Sequence, residues 1–248
     1  MTGMLASVTS IKEAQLVHKH GVDIIDLKNP AQGALGALET YLVAEIVKSI
    51  SGTTTLTSAT VGDIEPNDPS LFGRIVNMAN TGVDYVKVGL FNDIANELFV
   101  EVLNKASEQN IKVIVVLFAE NFTSLASLKI LLGSGISGVM LDTKNKIDKS
   151  LLSLLSTHEL YRFVQLAQSH GLITGLAGSL RYEDINSLLG VEADYLGFRG
   201  ALCSENDRVR SIEVKNIVKI RSAITEQRAI DYGDVKFIDE VLSNGTMA

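Results

Sequence analysis

Asp26 and Lys28 stand two residues apart near the end of an apolar run, VDIIDLKNPAQGALGA (22–37). Val22, Ile24, Ile25 and Leu27 are the types of a buried strand, and residues two apart on a strand leave the same face. A carboxylate and an amine therefore emerge side by side. Asn29-Pro30 then stops the strand, and a loop with Gly33 and Gly36 follows. A salt bridge at a strand end explains such a pair as well as catalysis does, but the pattern recurs. Asp84 and Lys87 fall on a fourth strand, and Asp142 closes a sixth with Lys144 and Lys146 just beyond it. A lysine that is desolvated and crowded by cations loses its proton, and the neutral amine attacks a carbonyl to form a Schiff base. A second lysine or a carboxylate moves protons in the same site. The same lysines also suit an anion held without covalent chemistry, and the residue pattern leaves both uses open.

Small residues mark two further loops. GLAGSL (175–180) and GFRGALC (197–203) let backbone N–H groups near Gly178, Ser179, Gly200 and Ala201 approach an anion. Arg199 is either a bidentate ligand there or a structural ion-pair partner. A third strand ends in Ser58, Thr60 and Asp63. His18, His20 and His170 fall at helix C-terminal ends and His158 at a helix start. None has metal-ligand spacing near the other candidates, so no metal is expected. Cys203 reads as a small buried thiol, because no histidine is placed to activate it.

The elements that must position these groups repeat along the chain. Strands are expected at 4–8, 22–28, 53–61, 83–89, 111–119, 138–142, 172–177 and 194–198. They alternate with helices at 10–20, 39–50, 69–80, 94–109, 124–132, 158–170, 182–189 and 212–224. Ser10 with Glu13 caps the first helix. Eight such units predict an α/β fold, a single-domain (β/α)8 TIM barrel over residues 1–224. A doubly wound open sheet is the alternative, weakened because no Gly-rich dinucleotide fingerprint follows the first strand. Residues 225–248 form a C-terminal extension that either packs as a short helix around 235–242 or frays. A barrel carries its site at the carboxyl ends of the strands, often with phosphate after strands seven and eight, which groups the charged exits and the small-residue loops.

Composition bounds the partners. The 248 residues are 46% hydrophobic with a net charge of −7 and a pI near 5.2, which suits an ordinary globular protein and argues against nucleic acid. A single cysteine forms no intrachain disulfide and fits a reducing compartment. The N-terminus does not read as a signal peptide. The most membrane-like window, 121–141, holds Lys129 and three glycines and divides into a helix and a strand, so no membrane partner is expected.

Six blocks in order resemble one family: VDIIDLKNPAQGALGA (22–37), SATVGD (58–63), DYVKVGL (84–90), VMLDTKNK (139–146), LAGSL (176–180) and GFRGALC (197–203). They are similar to the (5-formylfuran-3-yl)methyl phosphate synthases of methanofuran biosynthesis. The resemblance runs from the first strand to about Arg210. It implies a barrel that condenses two glyceraldehyde 3-phosphate molecules to 4-(hydroxymethyl)-2-furancarboxaldehyde phosphate, a carbon–oxygen lyase reaction that releases phosphate and water without a cofactor. It also implies that Lys28 forms the Schiff base, that Lys87 accepts protons, and that Asp26, Asp142 and Lys146 belong to the active site. A cytoplasmic setting in C1 metabolism follows from the resemblance, and a homo-oligomer is expected. The chain departs from the family pattern in LFAENFTS (117–124), in NKIDKS (145–150) and in the glycine-poor SENDRVRSIE (204–213). Two other functions compete: a Schiff-base aldolase for a phosphorylated sugar, which favours Lys146, and a non-catalytic triose-phosphate-binding barrel.

Overall fold

The computed structural model describes residues 1–91, 95–122, 124–145 and 149–225. Its strands are β1 (Gly3–Val8), β2 (Ile24–Leu27), β3 (Leu56–Thr60), β4 (Tyr85–Leu90), β5 (Val113–Phe118), β6 (Gly138–Asp142), β7 (Ile173–Leu176) and β8 (Tyr195–Phe198). Each is parallel to the next, and β8 pairs with β1 to close the barrel. The helices are α1 (Ile11–Lys19), α2 (Thr40–Ser49), α3 (Leu71–Ala79), α4 (Glu97–Glu108), α5 (Ala126–Leu131), α6 (Leu151–Leu154), α7 (Thr157–Gln168), α8 (Ile185–Leu189) and α9 (214–225). The expected order of elements holds throughout. The four-residue α6 was not expected, since one turn is too short to show a helical period. The segment 235–242, expected to pack as a short helix or to fray, lies outside the described residues. Among the described residues, no helix is long and apolar enough to cross a membrane.

Strand alternation divides the barrel into two apolar layers. Met4, Ala6, Val8, Ile25 and Leu27 pack outward against the helices, while Leu5, Ile24, Ile114, Val116, Phe118 and Met140 fill the interior. Three interior positions are small: Gly175 on β7, Ala177 just after it, and Gly197 on β8. A Cβ on Gly197 would lie 3.0 Å from Met140 Cε. Met140 of β6 thus occupies the space that a side chain at that position would take.

The amino-terminal mouth is held by acids that precede strands. The Asp23 carboxylate accepts from Met4 N–H at 2.7 Å and from the Arg221 guanidinium of α9. Asp84 accepts from Thr57 N–H at 2.7 Å and from its hydroxyl at 2.8 Å. Asp194 accepts from Thr174 N–H at 2.8 Å and from its hydroxyl at 2.7 Å. Each carboxylate thus bonds the strand before its own.

Candidate active site

Asp26 is the centre of the carboxyl-terminal mouth. It is wholly buried on β2, and the sheet register sets Ser7 of β1 and Ser58 of β3 directly beside it. The Ser7 hydroxyl donates to Oδ2 at 2.9 Å and the Ser58 hydroxyl to Oδ1 at 2.7 Å. Lys87 Nζ, on β4, donates to Oδ1 at 2.9 Å. Lys28 Nζ lies 3.9 Å from Oδ2. Burial by itself would raise the Asp26 carboxyl, but Lys87, then Lys28, with the Ser58 and Lys87 hydrogen bonds, outweigh it. The carboxyl sits below its ordinary value and carries a charge.

Asp142, at the end of β6, approaches from across the barrel. Its Oδ2 is 3.8 Å from Lys28 Nζ, and its Oδ1 accepts from Thr143 N–H at 2.8 Å. Lys28 therefore sits between two carboxylates and is only 7% exposed; Lys87, 3% exposed, lies on the far side of Asp26. The structure thus gathers Asp26, Lys28, Lys87 and Asp142. Lys146 lies outside the described residues.

A cavity of about 660 Å³ opens above this cluster. Asp26, Lys28 and Asp142 line one wall; Gly178, Ser179, Gly200 and Ala201 line another. Gly178 takes a φ of +114°, and a Cβ there would meet Thr143 Cγ2 at 2.7 Å, so the β7 loop passes against the β6 loop only because the residue is glycine.

Arg199 also lines the cavity, but its donors are spent elsewhere. Nη1 donates to Glu13 Oε2 at 2.6 Å and to Ser7 O at 3.2 Å; Nη2 donates to Glu13 Oε1 at 3.3 Å and to Arg210 O at 3.1 Å; Nε donates to Arg208 O at 2.8 Å. All five N–H groups are occupied. Of the two roles expected for Arg199, the geometry matches the ion-pair partner and corrects the anion ligand. Glu13 also accepts from Thr9 N–H at 2.9 Å, so the cap of α1 holds the residue that holds Arg199.

Other strand-exit candidates have structural positions. Asp63 accepts from the N–H groups of Ala34 and Leu35 at 3.1 and 2.7 Å, and the Thr60 hydroxyl donates to Gly36 O at 3.0 Å, so both secure the β2 loop. Asp84 is at the opposite mouth. Lys144 donates to Phe91 O and lies over the rings of Phe91 and Phe118 at 5.5 and 5.4 Å. His18 bonds Thr55 Oγ1 at 3.0 Å, near the start of β3. Among the described residues, no group of three or more His, Cys, Asp or Glu side chains is gathered to hold a metal ion. Cys203 is buried, and burial pushes its thiol up to about 11.

Sequence reasoning missed Ser7 and Arg208, and it read Glu13 as a cap of the first helix without its pairing to Arg199. Arg208 lines the cavity from the segment after β8 and donates from Nη2 to Gly33 O at 3.1 Å. Its half-burial lowers the guanidinium from its ordinary value, with Asp142 acting against that effect.

The sequence model of the 4-HFC-P synthase family matches residues 4–221. A Methylorubrum extorquens protein named as a candidate (5-formylfuran-3-yl)methyl phosphate synthase is 37% identical over 223 residues, 89% of this chain and 91% of its own. The (5-formylfuran-3-yl)methyl phosphate synthase of Methanococcus aeolicus is 34% identical, over 87% of this chain and 96% of its own. Among solved structures, 3-hexulose-6-phosphate synthase superposes with a TM-score of 0.66 at 16% identity, covering 90% of this chain and 100% of its own. Phosphoribosyl anthranilate isomerase from Thermus thermophilus reaches 0.64 at 10% identity, covering 92% and 100%. At those identities the structural likeness speaks for the barrel fold alone.

Proposed function

Because this chain belongs to the 4-HFC-P synthase family, we propose that it condenses two molecules of glyceraldehyde 3-phosphate to 4-(hydroxymethyl)-2-furancarboxaldehyde phosphate in methanofuran biosynthesis. One orthophosphate and two waters leave, which balances the atoms of two trioses against one furan. One observation carries the reading. An amine held between two carboxylates, Lys28 between Asp26 and Asp142, faces a cavity of about 660 Å³ walled by the small-residue loops after β7 and β8.

The roles follow from the partners. The Lys28 amine attacks the aldehyde carbon of one triose; the carbonyl oxygen leaves as water and an iminium remains. The iminium draws electrons from the adjacent carbon, which loses a proton and attacks the second triose. Asp26 is committed to Lys87, Ser7 and Ser58, so Asp142 is the carboxylate assigned to move the Lys28 proton. Lys87 donates to Asp26, and once its proton has passed to that carboxylate the neutral amine serves as the proton acceptor that the family resemblance implies. Two phosphorylated trioses bring about four negative charges, which a pocket with several cations accommodates.

The test is incubation with glyceraldehyde 3-phosphate alone, followed by ultraviolet absorbance, mass and released phosphate. The expected result is the furan aldehyde with one phosphate per furan, and borohydride trapping that labels Lys28. Label on Lys146 would reassign the Schiff base. Folded protein that gives neither furan nor trapped adduct would sink the reading in favour of a triose-phosphate-binding barrel.

A further inference from the structure

We propose that Arg208 is the side chain that grips a substrate's phosphomonoester group in this cavity, and that Arg199 serves it as a positioning residue. The proposal rests on the reading of the cavity as a phosphorylated-triose site.

Among the described residues the cavity is lined by five cations: Lys28, Lys149, Arg181, Arg199 and Arg208. Lys28 sits between Asp26 and Asp142, where the amine is assigned to the carbonyl. Lys149 and Arg181 are exposed at the rim, where water competes for their charges. Arg199 has no donor left. Arg208 combines partial burial with spare donors. It has one hydrogen bond, from Nη2 to Gly33 O, which leaves four of its five N–H groups for an anion. A guanidinium matches a phosphate in bidentate geometry, and partial desolvation strengthens the contact.

Its placement is built. Arg199 holds the Arg208 carbonyl at 2.8 Å and the Arg210 carbonyl at 3.1 Å, and the Asp207 carboxylate accepts from Val209 N–H at 3.1 Å. The side chain then reaches the loop that follows Lys28. An anion on Arg208 is therefore gripped from the β8 side while the rest of the molecule lies toward Lys28. The glycine-poor segment 204–213, where the chain departs from the family pattern, thus supplies a charged side chain as an anion ligand in addition to loop N–H groups.

The probe is glycerol 3-phosphate, a triose-sized phosphomonoester without a carbonyl, titrated calorimetrically into the full chain. Loss of a charge-assisted bidentate contact is expected to weaken binding by about tenfold or more in Arg208→Gln, with Arg208→Lys in between. Thermal melts confirm that the variants fold, and Arg208→Lys keeps the test alive if Arg208→Gln does not. Affinity within about twofold of wild type in a folded Arg208→Gln, or no binding by the wild type, overturns the proposal. Arg208-dependent binding without furan formation would overturn the proposed reaction and leave this inference standing. Furan formation with an unchanged KM in Arg208→Gln would do the reverse.

Discussion

Replacing Asp26 with Asn tests the charge arrangement directly. The side chain is wholly buried, and Lys87, 3% exposed, has Asp26 as its ion-pair partner at 2.9 Å. An asparagine can accept from Ser7 or Ser58, but it cannot balance the Lys87 ammonium, and its own N–H₂ adds donors where donors already converge. Removing one partner of a buried ion pair costs about 3–5 kcal/mol. For a domain of this size, about 2–4 °C is lost per kcal/mol, which gives a fall in Tm of roughly 6–20 °C. The pH dependence has a definite sign. The folded carboxyl lies below its ordinary value, so its contribution is present above the unfolded pKa of about 3.9 and disappears as pH falls through the lowered folded value. The gap between wild type and Asp26→Asn should therefore be full at neutral pH and shrink in acid. Denaturant unfolding at several pH values measures it, alongside Asp26→Asn/Lys87→Met. The double variant should recover most of the loss, because it removes the stranded ammonium. A single variant within about 1 kcal/mol of wild type, or a double variant whose loss is the sum of the two single losses, would refute the pairing.

Lys28→Ala should fold but melt lower than wild type, because Asp142 and Asp26 lose a buried cation, and it should lose furan formation and the borohydride adduct; furan formation that survives the substitution would refute the Schiff-base assignment. Arg199→Met strands Glu13 and three carbonyl partners, so a loss on the order of 3 kcal/mol is expected by chemical denaturation, and a stability equal to wild type would remove the residue from its structural role. Cys203, with its thiol pushed up to about 11, should resist alkylation in native protein at neutral pH and react once the chain is unfolded; rapid native labelling would contradict its burial.

The order of elements was legible because each strand is a short apolar run followed by an amphipathic helix, a signal that survives errors of a few residues at each boundary. The Asp26–Lys28 pair was legible for the same reason, since a period of two is local. Partners across strands were not. Ser7, Asp26 and Ser58 meet only because β1, β2 and β3 pair in one particular register, and nothing within any single strand encodes it. Asp84 shows the reverse error. It precedes the strand on which Lys87 lies, so it belongs to the amino-terminal mouth although only three residues separate the two. Arg199 and Arg208 depend on where long side chains lead after leaving the sheet, which hydrophobic patterning does not record. The small residues at 178–179 and 200–201 did disclose the wall of the cavity, because close backbone approach restricts residue type.

The acids at the far mouth bear on the accuracy of the site. Asp23, Asp84 and Asp194 precede β2, β4 and β8, the strands that lead to Asp26, Lys87 and Arg199. Sliding one of those strands by a single residue would turn its alternating side chains inside out. It would also take the carboxylate off the backbone amide of Met4, Thr57 or Thr174, and a stranded buried amide costs about 1–3 kcal/mol. β6, which leads to Asp142, is preceded by Ser137, whose N–H donates to Val113 O, and has no carboxylate clamp at that place. The three acids thus penalise misaligned strands at one end of the barrel, and the correctly aligned charges appear at the other.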